Sequence, residues 1–186
     1  MFRELLAHEF APYGTLSLEQ LGQLESHYEL LLRWNAKLNL TRIDSIEEAA
    51  RLHYCESLFL GQRLPVGPLR IADIGSGSGF PGIPIAILRP ECNITLVESH
   101  KRKGVFLTEA VRNLVNVKVV TDRAENLQDT FDWLVSRAVN PAEVLKLNLA
   151  KNLAILVGAH DAATFQYSEL LPWGDKRYVV FHVKHP

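Results

Sequence analysis

The chain has 186 residues, of which 47% are hydrophobic and 22% charged, and its formal net charge at pH 7 is −1. These values are typical of a globular protein with one sizeable core and a small appendage, and the charge alone does not indicate nucleic-acid binding. No apolar run approaches a membrane span, and we expect no secretory leader. Cys55 and Cys92 show neither CxxC nor zinc-ligand spacing, so we expect reduced thiols in a cytoplasmic protein and no metal site.

The first sixty residues have helical patterning. Ser17 and Gln20 form a capping-box pattern, which predicts the start of a helix. Apolar residues then recur at helical spacing, at Leu18, Leu21, Leu24, Tyr28, Leu31 and Leu32. Ser45 and Glu48 repeat the capping pattern before a second predicted helix. Its apolar face contains Leu52, Cys55 and Phe59.

A linker is predicted after these helices. Residues 61–69 contain two glycines and two prolines, a composition typical of a domain boundary. We therefore expect an N-terminal helical extension over residues 1–65 and a second domain over residues 66–186.

From Leu69 onward, strand-like runs alternate with helical patterns. The predicted strands are residues 69–74, 93–98, 117–121, 131–135, 152–157 and 177–183. The predicted helices are a short one that begins at Pro81, residues 101–114 and residues 141–150. This alternation predicts an α/β fold with a doubly wound, mostly parallel sheet and helices on both faces.

The most informative segment follows the first predicted strand. Asp73 ends that strand, glycines stand at alternate positions at Gly75, Gly77 and Gly79, and Pro81 begins the helix. Glycines let the chain turn sharply and let a ligand approach where a Cβ would clash. A strand, turn and helix of this kind leave a ligand-binding crevice at the carboxyl edge of the sheet.

Two cofactor classes compete for this loop. The segment from Gly77 to Gly82 matches the dinucleotide pattern, with the acidic Glu98 roughly 20 residues further on. The pattern D-x-G-x-G-x-G from Asp73 matches the loop that binds S-adenosyl-L-methionine (AdoMet), in which Asp73 takes the ammonium end and Glu98 the ribose hydroxyls. We favour AdoMet because the dinucleotide pattern starts late and leaves Asp73 without a role. A nicotinamide oxidoreductase is the alternative from another class.

Polar residues also follow the other predicted strands. They are Glu98 and Ser99, residues 122–125 (D-R-A-E) and residues 136–138 (S-R-A). Because parallel strands end at the same edge of a sheet, we expect these segments to line one crevice with the glycine loop. Their polarity suits an adenosine-sized ligand.

Four segments share the motifs of one family. They are D-I-G-S-G-S-G-F-P-G-I-P from Asp73, W-N-A-K-L-N-L-T from Trp34, H-Y-C-E-S from His53, and F-D with S-R-A from Phe131 and Ser136. They resemble the F/L-P-G-I-P glycine loop, W-N-x-x-x-N-L-T, H-x-x-D/E-S and F-D…S-R-A motifs of the glucose-inhibited division protein B family. These proteins are the guanine-N7 methyltransferases (methyltransferase G) of small-subunit ribosomal RNA.

The resemblance implies a class I AdoMet-dependent methyltransferase domain, Rossmann-like in fold, behind an N-terminal helical extension. With the loop pattern, it implies that AdoMet is bound by Asp73, Gly75, Gly77, Phe80, Glu98, Ala124, Glu125 and Arg137. The implied reaction is methylation of guanine N7 in small-subunit (16S) ribosomal RNA, with another RNA or a small molecule as the runner-up substrate. We expect no catalytic acid or base, because N7 has a free lone pair, and we place His53 and Arg137 on the substrate side.

Three departures from the family pattern affect the expected substrate contacts. Val157 precedes Gly158 where the family has lysine, and Leu52 precedes the motif histidine where arginine is common. Arg102 and Lys103 stand in the reverse of the family's usual order. A cofactor-binding domain with weakened activity is therefore a further alternative.

Basic residues near the expected crevice predict the RNA contacts. The candidates are Arg42, Arg51, Lys101, Arg102 and Lys103. The last three open a predicted helix, where they oppose its dipole, and an RNA phosphate would compensate for that repulsion. We expect a monomer with no membrane partner that acts on small-subunit ribosomal RNA within an assembled or assembling subunit.

Overall fold

The structure is a computed structural model and describes residues 1–42 and 45–183. The helices are α1 (Phe2–Phe10), α2 (Leu18–Leu38), α3 (Ile46–Glu48), α4 (Glu56–Arg63), α5 (Gly82–Leu88), α6 (Lys101–Ala110), α7 (Pro141–Lys146) and α8 (Ala159–Ala162). The strands are β1 (Arg70–Ile74), β2 (Asn93–Val97), β3 (Val117–Val120), β4 (Trp133–Arg137), β5 (Asn152–Gly158), β6 (Tyr167–Leu170) and β7 (Arg177–Val183). A π-helix, Ala49–Cys55, joins α3 to α4, and a 3₁₀ turn, Ala124–Asn126, follows β3.

The seven strands form one sheet in the order β3-β2-β1-β4-β5-β7-β6. The first five are parallel, whereas β7 runs antiparallel to both β5 and β6. The strand order reverses direction between β1 and β4, and this is the switch point where open α/β sheets bind ligands. The predicted doubly wound, mostly parallel sheet is confirmed.

All six predicted strands are present, with small differences in their bounds. The fourth begins at Trp133 rather than at residue 131, because its pairing with β1 starts where Trp133 lies opposite Ile71. Strand β6 was not predicted, because its residues Y-S-E-L are mostly exposed and show no apolar alternation. Two predicted helices are shorter than expected: α6 ends at Ala110, and α7 ends before Leu147, which is extended.

The N-terminal helices begin where the capping patterns predict. Gln20 N–H donates to Ser17 Oγ (3.1 Å) and Ser17 N–H donates to Gln20 Oε1 (2.9 Å), which completes a capping box. Ser45 Oγ accepts from Glu48 N–H (3.0 Å) at the start of α3. The π-helix that follows was not predicted, and it carries His53 into the interior.

The core is continuous between the N-terminal helices and the sheet. One apolar cluster joins Phe10 and Tyr54 of the helices to Ile71 and Phe106 of the α/β unit. A smaller cluster, with Leu134 among its members, covers the other face of the sheet. The proposed boundary between residues 65 and 66 stays a prediction. None of the helices in the described ranges is both long and apolar enough to cross a membrane.

Candidate active site

The glycine loop curls over the carboxyl ends of β1 and β2. Gly75 N–H donates to the carbonyl oxygen of Val97 (2.9 Å), which ties the loop to the neighbouring strand. Gly75, Gly77 and Gly79 have φ angles of 69°, 57° and 91°, values that L-residues with side chains rarely adopt. A Cβ on Gly75 would also lie 2.6 Å from Val139 Cγ2. The loop therefore requires glycine where the sequence analysis placed the cofactor.

Asp73 lies beneath this loop and is fully buried. Its Oδ2 accepts from Gly82 N–H (2.9 Å), and its backbone carbonyl accepts from Ser76 Oγ (2.9 Å). Its Oδ1 is buried and has no hydrogen-bond partner among the described residues. Burial raises the pKa of this carboxyl from 3.8 to about 7. Asp73 thus anchors the start of α5, and its contact with the ammonium group of AdoMet stays a prediction.

Glu98 lies on the other side of the loop and is also buried. Its Oε2 accepts from Gly77 N–H (2.9 Å) and its Oε1 from His100 N–H (2.8 Å). Ala124, half-buried, and Glu125, exposed, lie in the 3₁₀ turn at the end of the next strand. The topology thus brings the ends of β1, β2, β3 and β4 to one edge, as predicted, while the cofactor roles of these residues stay predictions.

Phe80 connects the loop to the substrate-side residues. Its ring is 2% exposed and stacks on His53 with centroids 4.7 Å apart and planes 19° apart. The Arg137 guanidinium lies 4.9 Å from the centroid of the same ring, a cation–π distance, and Tyr54 meets it edge-on. The structure therefore brings together His53 and Arg137, which the sequence analysis placed on the substrate side.

His53 and Arg137 differ in charge. Thr41 Oγ1 and His53 Nε2 form a hydrogen bond of 2.7 Å, and Arg137 Nη1 donates to the carbonyl of Leu52 (2.9 Å). Burial, helped by the guanidinium groups of Arg137 and Arg177, lowers the pKa of His53 to about 2. Burial lowers the pKa of Arg137 only to about 10. At neutral pH the site therefore presents a neutral imidazole beside a charged guanidinium.

A cleft of about 760 Å³ opens beside this pair, at the ends of β4, β5 and β7. We call it the substrate-side cleft. Its polar lining is Thr41, Arg42, His53, Arg137, Asn140, Asp161 and Arg177. Three guanidinium groups from three parts of the chain make this lining predominantly cationic.

The family model described as rRNA small subunit methyltransferase G matches residues 20–157. The chain belongs to this family. A relative from Desulforamulus reducens named ribosomal RNA small subunit methyltransferase G is 37% identical over 139 residues, which are 70% of this chain and 58% of that protein. One of the same name from Polynucleobacter asymbioticus is 41% identical over 150 residues, 72% of this chain and 65% of that protein. The chain spans less than two thirds of the length of these curated relatives.

Solved structures show the same fold. A SAM-dependent methyltransferase from Aquifex aeolicus has a TM-score of 0.60 at 12% identity and covers 77% of this chain and 96% of that chain. Fibrillarin from Aeropyrum pernix, in complex with S-adenosyl-L-methionine, has a TM-score of 0.53 at 17% identity and covers 69% of this chain and 73% of that one. The predicted class I methyltransferase fold is confirmed.

Several residues of the family motifs have structural contacts. Trp34 Nε1 donates to Glu109 Oε2 (3.2 Å), which links α2 to α6. Asn35 Oδ1 accepts from Thr41 N–H (2.8 Å), and Asn39 ends α2 in the left-handed conformation. These residues hold the segment that delivers Thr41 to His53, so the W-N-x-x-x-N-L-T motif acts on the site through another residue.

In the F-D…S-R-A motif, Asp132 and Ser136 make structural hydrogen bonds, and Arg137 is the residue that reaches the site. Asp132 Oδ2 accepts from Arg70 N–H (2.6 Å), and Ser136 Oγ donates to the carbonyl of Ile74 (2.9 Å). The first bond joins the residue before β4 to β1, and the second joins β4 itself to β1. Arg137, the next residue, is thereby held at the sheet edge.

A buried ion pair that was not predicted joins Glu56 to Arg177, a residue of the substrate-side cleft. Glu56 is fully buried and accepts from Nε and Nη2 of Arg177, with Nη2 at 2.6 Å from Oε2. Burial raises the pKa of Glu56, although Arg177 opposes this shift. Arg177 lies directly opposite Gly158 in the antiparallel β5–β7 ladder. The acidic position of the H-x-x-D/E-S motif was a signal for Glu56, but its partner is 121 residues away.

A second missed contact ties the helical extension to the glycine loop. His27 is buried, and burial lowers its pKa to about 4, so the ring is neutral at neutral pH. Because the carbonyl of Ser78 can only accept, His27 Nε2 donates to it (3.1 Å) and Nδ1 accepts from the Tyr54 hydroxyl (2.9 Å). Neither the His27 ring nor the Tyr54 ring was predicted to contribute to the site.

One of the predicted RNA contacts, Arg42, lies in the lining of the substrate-side cleft. Lys101 and Arg102 are exposed and Lys103 is half-buried at the start of α6, near the carboxyl end of β2. Arg51 forms an ion pair with Glu9, with 2.8 Å between Nη2 and Oε1. RNA binding by Arg51 would have to compete with this pair, and the RNA roles of all these residues stay predictions.

Proposed function

We propose that this member of the family transfers a methyl group from AdoMet to N7 of a guanine in small-subunit (16S) ribosomal RNA. One observation carries the proposal: the glycine loop and Glu98 meet Phe80, His53 and Arg137 at one sheet edge, beside a cationic cleft. Family membership and the relatives' names support the reaction class and the RNA substrate.

The residues at the loop fit AdoMet. Oδ1 of Asp73 is buried without a partner in the described part of the chain, and an ammonium donor would satisfy it directly or through a water. Each oxygen of Glu98 accepts one backbone N–H and keeps a lone pair that a ribose hydroxyl can use. The backbone of Gly75 leaves no space for a side chain there. These residues would hold the ammonium and ribose groups of the cofactor.

Bound AdoMet supplies an electrophilic methyl group on a sulfonium sulfur. Guanine N7 carries a free lone pair, so the chain need not remove a proton from it. His53 stays neutral because its pKa is about 2. In the proposed reaction it packs against the other residues of the site and transfers no proton. Phe80 and Arg137 orient the reactants at the loop, and holding them in line is itself a large source of rate.

The proposed partner is small-subunit ribosomal RNA within an assembled or assembling subunit, bound by a monomer in the cytoplasm. The net charge of −1 supports this choice, because a protein of low charge gains little from the phosphate backbone of free RNA. The basic start of α6 and the cationic cleft supply local contacts instead.

Calorimetric titration with AdoMet, S-adenosylhomocysteine, NAD and NADP tests the cofactor. We expect the first two to bind and the nicotinamide cofactors not to bind. Transfer of labelled methyl groups to unmethylated small subunits tests the reaction, and N7-methylguanine should be the product. Binding of AdoMet without transfer would favour the domain with weakened activity, which the valine before Gly158 motivates.

A further inference from the structure

The lining of the substrate-side cleft includes two guanidinium groups that use only some of their hydrogen-bond donors. Arg137 Nη1 donates to the carbonyl of Leu52, and Arg177 donates from Nε and Nη2 to the Glu56 carboxylate. The remaining guanidinium N–H groups have no partner among the described residues. They point to a ligand group that accepts hydrogen bonds.

Asp161 supplies an acceptor in the same cleft. It is half-buried in α8, and it is the one acidic residue of the cleft lining within the described ranges. Its backbone carbonyl accepts from Thr164, but its carboxylate makes no hydrogen bond or ion pair with any described residue. Glu56, the nearby buried acid, is committed to Arg177. Asp161 therefore offers a carboxylate acceptor in the same cleft lining as the guanidinium groups of Arg137 and Arg177.

We propose that Asp161 is a specificity-determining residue that selects guanine. In this arrangement its carboxylate accepts from the N1–H and 2-amino groups, while Arg137 and Arg177 donate to O6. The inference rests on the proposed function and adds the recognition of the base to it.

The hydrogen-bonding edges of guanine and adenine differ, and this difference would let the cleft select guanine. Guanine presents an O6 acceptor next to N–H donors, whereas adenine presents an amino donor at the position of O6. Adenine would therefore set its amino group against the arginines and a ring nitrogen lone pair against the Asp161 carboxylate. N7 lies on the far side of O6 from the N1–H and 2-amino groups, so a carboxylate bound to those two groups leaves N7 open to the methyl group.

The charge change of the reaction favours the same assignment. Methylation places positive charge on the purine, which makes its N1–H and amino groups stronger donors. A carboxylate on those groups binds the transition state more tightly than the substrate, and such an interaction raises kcat.

The test measures base discrimination by the chain with S-adenosylhomocysteine bound. Guanosine, inosine and adenosine monophosphates are titrated at up to millimolar concentration, and inosine differs from guanosine only in lacking the 2-amino group. The parent should bind the guanosine nucleotide about tenfold more tightly than the inosine nucleotide, since one charged hydrogen bond is lost. Asp161→Asn should reduce this ratio toward one, and Asp161→Glu should recover part of it. Asp129→Asn, at an exposed position outside the cleft, is the matched control and should keep the parent's ratio.

Equal ratios in the parent and Asp161→Asn, or no binding of the guanosine nucleotide, would overturn the inference. AdoMet titration and methyl transfer to small subunits, measured on the same preparations, distinguish failure of the proposed function from failure of the Asp161 inference. If the parent neither binds AdoMet nor transfers methyl groups, the proposed function is wrong. If the parent does both and the base ratios are unchanged in Asp161→Asn, only the role of Asp161 is wrong.

Discussion

Replacing Asp73 by asparagine should separate the stability of the chain from its affinity for AdoMet. Asparagine keeps an oxygen that can accept from Gly82 N–H, and it removes the charge. In the folded chain the carboxyl is fully buried and its Oδ1 has no partner among the described residues. The charge therefore costs stability where no ligand compensates for it.

The magnitude follows from the pKa of Asp73. The difference between its ordinary value of 3.8 and about 7 corresponds to about 4 kcal/mol. The folded state binds this proton more tightly than the unfolded state, so the parent loses stability as pH rises from about 4 to about 7. Asparagine does not titrate, but its amide places a donor where Oδ1 has no partner, at a cost of about 1–3 kcal/mol.

Asp73→Asn should consequently be about 1–3 kcal/mol more stable than the parent near pH 8, and the two should converge near pH 5. Urea denaturation across this pH range measures the difference, with the exposed Asp129→Asn as control. AdoMet titration of the same variant should show at least about tenfold weaker binding, because a charge-assisted contact is lost. Parallel stability profiles for parent and variant, or unchanged AdoMet affinity, would refute the reasoning.

Four further predictions test the site. Gly75→Val should abolish most AdoMet binding by calorimetry, because a Cβ there already lies 2.6 Å from a neighbouring side chain; normal affinity would contradict this. Glu98→Ala should weaken AdoMet binding more than Glu98→Gln, which keeps one acceptor, and equal effects would count against ribose binding. At saturating AdoMet, methylation of small subunits should be nearly independent of pH between about 6.5 and 9, since no base is needed; a steep rise would indicate proton abstraction. Changing Lys101, Arg102 and Lys103 together to alanine should weaken subunit binding and lower its salt slope by roughly 0.7–0.9 per lost phosphate contact, while AdoMet affinity, the control, stays the same.

The parts of the fold that were predictable have local causes. The strand before Asp73, the glycine turn and the capping box at Ser17 each depend on residues a few positions apart, and the structure confirms all three. Strand β6 was missed because its exposed residues carry no apolar period. The π-helix that buries His53 was missed because π-helices are rare and the capping pattern at Ser45 also fits an ordinary α-helix.

In the candidate site, too, the features that depend on residues close in sequence were predictable and the long-range contacts were not. Sequence spacing placed Asp73 and Glu98 at one edge, because adjacent parallel strands must end together. It could not show that Asp73 is covered by the loop, which depends on how the loop closes over β1. It also could not pair Glu56 with Arg177, because that contact joins a helix to the antiparallel strand β7 across 121 residues.

The helical extension has a direct part in shaping the cofactor loop. His27 donates to the carbonyl of Ser78 within the loop, and Tyr54 holds the His27 ring in the tautomer that can donate. Phe80, at the end of the loop, packs against both rings. Since these contacts are buried and uncharged, they do not weaken with salt as phosphate contacts do. The helical extension can therefore hold the glycine loop in one conformation at salt concentrations that would weaken the RNA contacts proposed for the start of α6.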